Sequence, residues 1–359
     1  MSCILVLNLG ATSTKAAIFE DENQQIEITF RNTAEEMEGA PTSREQVFLR
    51  KKQLLDWMDK EEIDICKIDA VALRGGGMTK AKKSGTYLVN ENMRKDVYQL
   101  YNPDGAFVHG ARIAIPLLDE MFPDQNVPIY VTDPPYVDEL CEEAKLTGHP
   151  VFQRGNAFQA LNHKAVGRAA AAELGKSYNE CNFVIIHLGG GVSVAAHEKG
   201  RIIEVNKCTD GDGPFSPERT GSLPVGEVIK ACFSGKYTEA EMQQMVRGQG
   251  GVKAYLGTSD MRVVEKMIDN GDKTADLVLR AFVFQVVKAA GGCCAVLGGN
   301  VDMIVITGGI AYSDRITNML KEKLHSFAPI QIYPGEAEAE ALVAGALRVM
   351  RGQEEVVVY

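Results

Sequence analysis

The stretch ILVLNLGATSTKAAIF, residues 4–19, gathers the donors an anion needs. Gly10 has no side chain, so the turn backbone can bring its N–H groups close to a phosphate. Lys15 adds a charge, and Thr12, Ser13 and Thr14 add hydroxyls. The stretch FVIIHLGGGVSVAAH, residues 183–197, repeats the device with His187 and Gly189, Gly190 and Gly191. Each reads as a buried apolar strand, a polar group (Asn8 or His187), a glycine-bearing turn and a second strand. One such stretch is usually an ordinary hairpin. Its recurrence in both halves, with a third apolar strand meeting Gly308 and Gly309 in DMIVITGGIAYS, points to two related domains, each with a phosphate-facing hairpin. The GxxxxGK[ST] and GxGxxG spacings are absent, which removes a Walker loop and any direct support for a dinucleotide fold.

Two arginines could meet a phosphate or carboxylate. Arg74 ends the strand AVAL before Gly75–Gly77, where no side chain obstructs a bidentate approach; a salt-bridged surface arginine is the plainer alternative. Arg219 lies in TDGDGPFSPERTGSLPVG, residues 209–226, a long aperiodic segment of the kind that is usually functional. Asp133 ends the strand of VPIYVTDPPY before two prolines and can either hold a hydrated Mg²⁺ or cap a turn.

Positioning these groups takes about two domains at 359 residues. With 45% hydrophobic and 24% charged residues, the composition is that of a globular protein, and the net charge of −10 argues against a sequence-independent nucleic-acid binder. The eight cysteines show no CxxC pairing and no zinc-like spacing, and with no signal peptide they read as reduced thiols in a cytoplasmic protein. The longest apolar segment, from Leu277, is interrupted by Arg280, Gln285 and Lys288 and reads as a helix buried between layers, so no membrane partner is expected. Ser43 and Gln46 have capping-box spacing for a helix with Val47, Leu54, Leu55 and Met58 on its apolar face. Asn156 is the expected cap of a second helix, on which His163 reads as a hydrogen-bonded residue rather than a ligand. The domain boundary is expected near residue 150, and the helix after about 336 is expected to return to the first domain.

Six motifs then agree in order and spacing: NLGATSTK, HLGGGVSVAAH, DGDGPFSPERTG, AYLGTSDMR, VITGGIAYS and YPGEAEAEALVAGALRV. Together they resemble the butyrate kinases of the acetate kinase group over nearly the whole chain. The resemblance implies an α/β, duplicated actin-like (ribonuclease H-like) fold of two domains with ATP or ADP in the cleft. The implied reaction is ATP plus a short-chain carboxylate giving ADP plus an acyl phosphate, with Mg²⁺ as cofactor and a homodimer or higher homo-oligomer as the assembly. By position, it puts Asn8, Ser13 and Lys15 at the phosphates, and Asp133 and Glu338 near the metal. Arg74 and Arg219 fall on the carboxylate and the transferring phosphoryl group. His187 and Gly189–Gly191 become the second phosphate loop, and Asp260, Arg262, Gly308 and Gly309 hold the adenosine.

The departures cluster in the acceptor pocket. Leu9 stands where these kinases usually have proline, and RGGGMTK replaces RGGLLKP beside Gly75. GAFVHGA replaces HASNLGA, so Gly105 takes the place of a histidine and Phe107 and Val108 replace polar residues. FQALNHK replaces FHALNQK, which puts Gln159 where a second histidine is usual. Two readings follow: a kinase for a different or bulkier acid, favoured because Arg74, Arg219, Asp133 and Lys15 are retained, or a nucleotide-binding protein with little transfer activity. A sugar kinase of the same superfamily is a third and weaker reading, since its acceptor hydroxyl needs a positioned base.

Overall fold

The computed structural model describes residues 1–78, 80–105, 110–124 and 126–359; the candidate pocket residue Val108, with Phe107, lies outside the described residues. The chain divides into two compact units, Met1–Val137 with Ala337–Tyr359, and Asp138–Glu336. The division thus falls at Val137 rather than near residue 150, and side-chain and backbone ties explain why. Cys141 donates its N–H to the Ile203 carbonyl, Lys164 meets Glu139 at 2.7 Å, and Arg154 pairs with Glu204, all inside the second unit.

The first unit holds β1 (Cys3–Leu9), β2 (Ser13–Glu20), β3 (Asn23–Arg31), β4 (Ala70–Leu73), β5 (Thr86–Leu88) and β6 (Ile129–Thr132). Their order across the sheet is β3-β2-β1-β4-β6-β5. The second unit holds β7 (Asn182–Leu188), β8 (Val192–Glu198), β9 (Arg201–Val205), β10 (Met303–Gly308) and β11 (Ile330–Pro334), ordered β11-β10-β7-β8-β9. Read from the other edge, β9-β8-β7-β10-β11 reproduces β3-β2-β1-β4-β6, so the duplication is one of topology as well as motif. β1 and β2 pair antiparallel with Asn8 opposite Lys15; β7 and β8 pair antiparallel with His187 opposite Ser193. Each central strand then pairs in parallel with the strand beyond it, β4 or β10. All seven residues of β7 are buried, and its central run Phe183–Ile186 is wholly apolar, as expected of a strand covered on both faces.

Helix Lys273–Val296 packs on β7 and β8 and buries Phe282, Val286 and Ala290 completely. Its other side is open, with Leu277 and Phe284 exposed, so it covers one face of the sheet rather than lying between two layers. Among the described residues it is the helix long and apolar enough to cross a membrane, and less than half of its most apolar window is buried. Helix Glu338–Met350 packs on β1, β4 and β6. Gly345 lets it approach, because a side-chain carbon there would collide with Thr132. Fully buried Leu342 and Ala346 fix this contact, the leucine contributing about 1.5–3 kcal/mol. The helix therefore starts at Glu338, beside the end of β1.

Two caps differ from the spacing-based expectation. Thr42, one residue before Ser43, caps helix Ser43–Lys60: its hydroxyl accepts from the Glu45 N–H, and Glu45 accepts from the Thr42 N–H at 2.9 Å. Helix Ala160–Glu173 starts after Gln159, which leaves Asn156 in the irregular segment before it. None of the eight cysteines is in a disulfide, and Cys293 and Cys294 are packed in the core.

Candidate active site

In the first unit the three-residue turn between β1 and β2 closes with Gly10 donating to the Ser13 carbonyl at 2.8 Å. Asn8 donates from Nδ2 to Glu338 Oε2 at 2.6 Å, and Arg74 Nη2 stands 3.2 Å from Glu338 Oε1. Lys15 pairs with Glu27 at 2.8 Å, and Asn8, Lys15 and Glu338 line one narrow crevice. Glu338, brought back by the last helix, is therefore the hub that joins Asn8 and Arg74. Asp133 is almost fully buried at φ +40°, a conformation that side chains seldom adopt. Its Oδ1 accepts from the Gly85 N–H at 2.8 Å, so the turn-capping role is present in the structure. Gly75 is required by packing, since a side-chain carbon would meet Val131 Cγ1 at 2.5 Å. Gly105 sits in a turn where its N–H reaches Asn102 O and its carbonyl accepts from Ser43. The Asn102 side chain fills the space a side chain here would enter, with Nδ2 at 2.5 Å, so a histidine at this position requires Asn102 to shift.

Arg50 holds the first turn from behind. It is fully buried, with Nη1 donating to Ser13 O (2.9 Å) and Thr14 Oγ1 (2.7 Å), Nη2 to Ala11 O (2.8 Å) and Nε to Gln46 Oε1 (3.1 Å). Burial pushes its pKa down to about 10, which leaves it charged at neutral pH. A signal for it was available in the sequence: Val47, Arg50, Leu54, Trp57 and Met58 share one helical stripe, and a lone arginine on a buried stripe calls for acceptors.

In the second unit, Arg219 and Gln159 meet at the glycine turn. A side-chain carbon at Gly191 would collide with Arg219 Nη1 and stand 3.3 Å from Gln159 Nε2, so glycine here makes room for two donors beside the backbone. Arg219 Nη1 also donates to the Cys208 carbonyl at 3.0 Å, while its buried Nε has no hydrogen-bond partner among the described residues. Ser216 Oγ ties the long segment to the turn by donating to Gly190 O at 2.7 Å. His187 lies between Asn162 Oδ1 (2.9 Å from Nδ1) and Glu336 Oε1 (3.1 Å from Nε2).

Gly189, Gly190, Asp260, Arg262 and Gly309 line a single cavity of about 660 Å³, together with Pro217, Glu218 and Tyr312. Asp260 also caps helix Met261–Asp269 and grips Arg262 at 2.7 Å, a contact that holds its carboxyl down at about 2. Gly308, at φ +92°, admits no side chain because the Leu188 backbone occupies the space. Among the described residues no group of three or more His, Cys, Asp or Glu converges as a metal cage.

His163 and His197 are fully buried and hydrogen-bonded to each other at 3.2 Å. Burial, then nearby positive charge, pushes both pKa values well below the ordinary range, so both are neutral. In the unfolded chain each imidazole takes up a proton near pH 6.5, and in the folded chain it does not. Stability is therefore expected to fall as pH drops below 6.5, by up to about 1.4 kcal/mol per pH unit for each histidine. Melting temperatures between pH 7 and 5.5 check this; His163→Gln should flatten the decline, and an unchanged slope in that variant refutes it.

The chain matches the acetokinase family over residues 3–332. It is 43% identical to butyrate kinase 1 of Clostridium acetobutylicum over 356 residues, covering 99% of both proteins. It is also 43% identical over 352 residues to a probable butyrate kinase of Listeria monocytogenes, covering 98% of each. Among solved structures it is similar to acetate kinase of Porphyromonas gingivalis, with a TM-score of 0.81 at 16% identity over 98% of this chain and 100% of that one. A propionate kinase of Francisella tularensis gives a TM-score of 0.76 at 20% identity over 96% and 99%. This similarity shows the fold, the duplicated actin-like arrangement of two α/β units that the paired strand orders display. With the family match running from β1 into β11, and relatives aligned from end to end, the chain belongs to the acetokinase family.

Proposed function

We propose that the protein is a short-chain carboxylate kinase, converting ATP and butyrate or a related short or branched acid into ADP and an acyl phosphate. The observation that carries this reading is the Arg219 guanidinium set against Gly191, in the same glycine turn whose Gly189 and Gly190 line a cavity of about 660 Å³, large enough for a nucleoside. A carboxylate is ionised at neutral pH, so no base is needed. One of its oxygens attacks the terminal phosphorus in line, the new P–O bond forms as the bond to ADP breaks, and the electron pair leaves on the ADP oxygen. Catalysis then rests on alignment and on neutralising negative charge.

Asn8, Ser13 and Lys15 are suited to contact phosphates. Arg74, held by Glu338, is suited to orient the carboxylate, and Arg219 to stabilise the phosphoryl group in transfer. Asp133 and Glu338 would hold Mg²⁺ through its waters, and Mg²⁺ supplies charge neutralisation at the phosphates. His187 and Gly189–Gly191 would take the second phosphate contact. Asp260, Arg262, Gly308 and Gly309 would surround the adenosine, and Gly75 and Gln159 would border the acyl group. Nothing in the site favours a binding protein without transfer. A homodimer or higher homo-oligomer fits helix Val225–Cys232, which buries none of its residues and leaves Val225, Ile229 and the adjoining Phe233 exposed.

A hydroxamate assay with ATP and Mg²⁺ over a panel of straight and branched short acids tests the activity. Butyrate-sized acids should give acyl hydroxamate, and turnover should stop when Mg²⁺ is omitted. Product from no acid at all sinks the reading. Sedimentation of the same preparation reads the assembly, and a monomer at assay concentration rules out the oligomer.

A further inference from the structure

Gln159 enters the site on the end of a buried hydrogen-bonded chain that the reaction as described does not use. Ser193 Oγ donates to Gln159 Oε1 at 2.7 Å. A hydroxyl has one proton, so the remaining contact of Ser193, at 2.8 Å to His163 Nε2, must be one that it accepts. His163 is neutral and carries its proton on Nε2, which leaves Nδ1 to accept from His197 Nε2–H at 3.2 Å. His197 Nδ1 then accepts from the Tyr178 hydroxyl at 2.6 Å. Tyr178, His197, His163 and Ser193 thus donate in one direction, toward the Gln159 carbonyl oxygen.

Cys208 and Arg219 flank the other end. The Cys208 thiol donates to the Ala157 carbonyl at 3.1 Å and its sulfur accepts from Arg219 Nη1 at 3.6 Å, so what lies around it is donor-rich, while Gln159 turns its amide nitrogen toward Gly191. That nitrogen stands with Arg219 on the open side of Gly191. The sequence builds this locally: Gln159 and His163 are one helical turn apart, Ser193 and His197 lie four residues apart on the same face of β8, and Ser193 is paired with His187 across the hairpin.

Resting on the kinase reading, we infer that Gln159 is a catalytic hydrogen-bond donor to the phosphoryl group in transfer, and that Ser193 and His163 are positioning residues that lock its amide with nitrogen outward. Gln159→Glu keeps the size and the bond from Ser193 but replaces the donor with a charged acceptor. It should lower kcat by about 10²-fold or more and raise the KM for ATP as well, because the new charge faces the phosphates before transfer begins. Ser193→Ala and His163→Leu should each cost about tenfold in kcat, because the amide is no longer locked. His163→Gln can still donate to Ser193 and should stay within about twofold of the parent enzyme. Unchanged kcat in Gln159→Glu overturns the proposal, and so does an equal loss in His163→Gln and His163→Leu, the result of a packing role alone. A turnover-free readout is the rise in melting temperature produced by pyrophosphate, which Gln159→Glu should largely remove while the shift produced by adenosine persists. A parent protein that makes no acyl phosphate sinks the kinase reading, whereas a pyrophosphate shift that survives Gln159→Glu sinks the donor assignment.

Discussion

Arg219→Ala is expected to reduce kcat by about 10³-fold or more while ADP still binds with nearly its parental affinity. Cys208 O fixes the guanidinium at Nη1, the Ser216 hydroxyl accepts from the Arg219 backbone N–H at 3.2 Å and so holds the main chain, and the glycine at 191 leaves the approach open. An arginine that contacts the phosphoryl group mainly in the transition state affects kcat far more than ground-state binding. The cavity proposed for the nucleoside is lined by Asp260, Arg262 and Gly309 among others, and the Arg219 side chain is not part of that lining. Turnover by hydroxamate and ADP affinity by calorimetry separate the two effects. A drop in both by the same factor would show that Arg219 serves the architecture of the 209–226 segment instead. Gly191→Ala should act in the same direction, because its methyl group takes the space of the guanidinium.

Arg50→Met should cost about 3–5 kcal/mol of stability and weaken ATP binding as well. The side chain satisfies two carbonyls and a hydroxyl of the turn that joins β1 to β2, and all three acceptors would lose a charged donor. A loss of that size is a large part of the 5–15 kcal/mol that typically separates folded from unfolded domains. Arg50→Lys keeps the charge but offers a single nitrogen to acceptors spread around a planar fork, so it should recover only part of the loss. Urea unfolding midpoints measure the first effect, and the thermal shift produced by ATP measures the second. If Arg50→Met unfolds at the parental midpoint, the buried guanidinium is not what holds the turn.

How legible each group was depended on whether its partners lie nearby in sequence. The hairpins at Asn8 and His187, the glycine turns and the long segment carrying Arg219 are local patterns of apolar alternation and turn chemistry, and they form where the residues put them. The capping of the helix after Thr42 slipped by one residue because serine and threonine adjoin and either hydroxyl can serve. Gly105 could be recognised as a departure from a family pattern, but only the turn with Asn102 explains why glycine suits it.

By itself, then, the sequence determined the duplicated α/β plan, the two phosphate-type turns and membership of a kinase family, because strand periodicity, glycine placement and motif order are properties of the linear chain. Only the tertiary structure decided which groups meet. Glu338 reaches Asn8 across 330 positions, Arg50 reaches the first turn from another element, and Gln159 receives its orientation from Ser193 and, through it, from a histidine pair. Those contacts are set by how helices dock on sheets and by which buried polar atoms must find partners. No local pattern encodes that docking, because the partners become neighbours only after the apolar faces have packed.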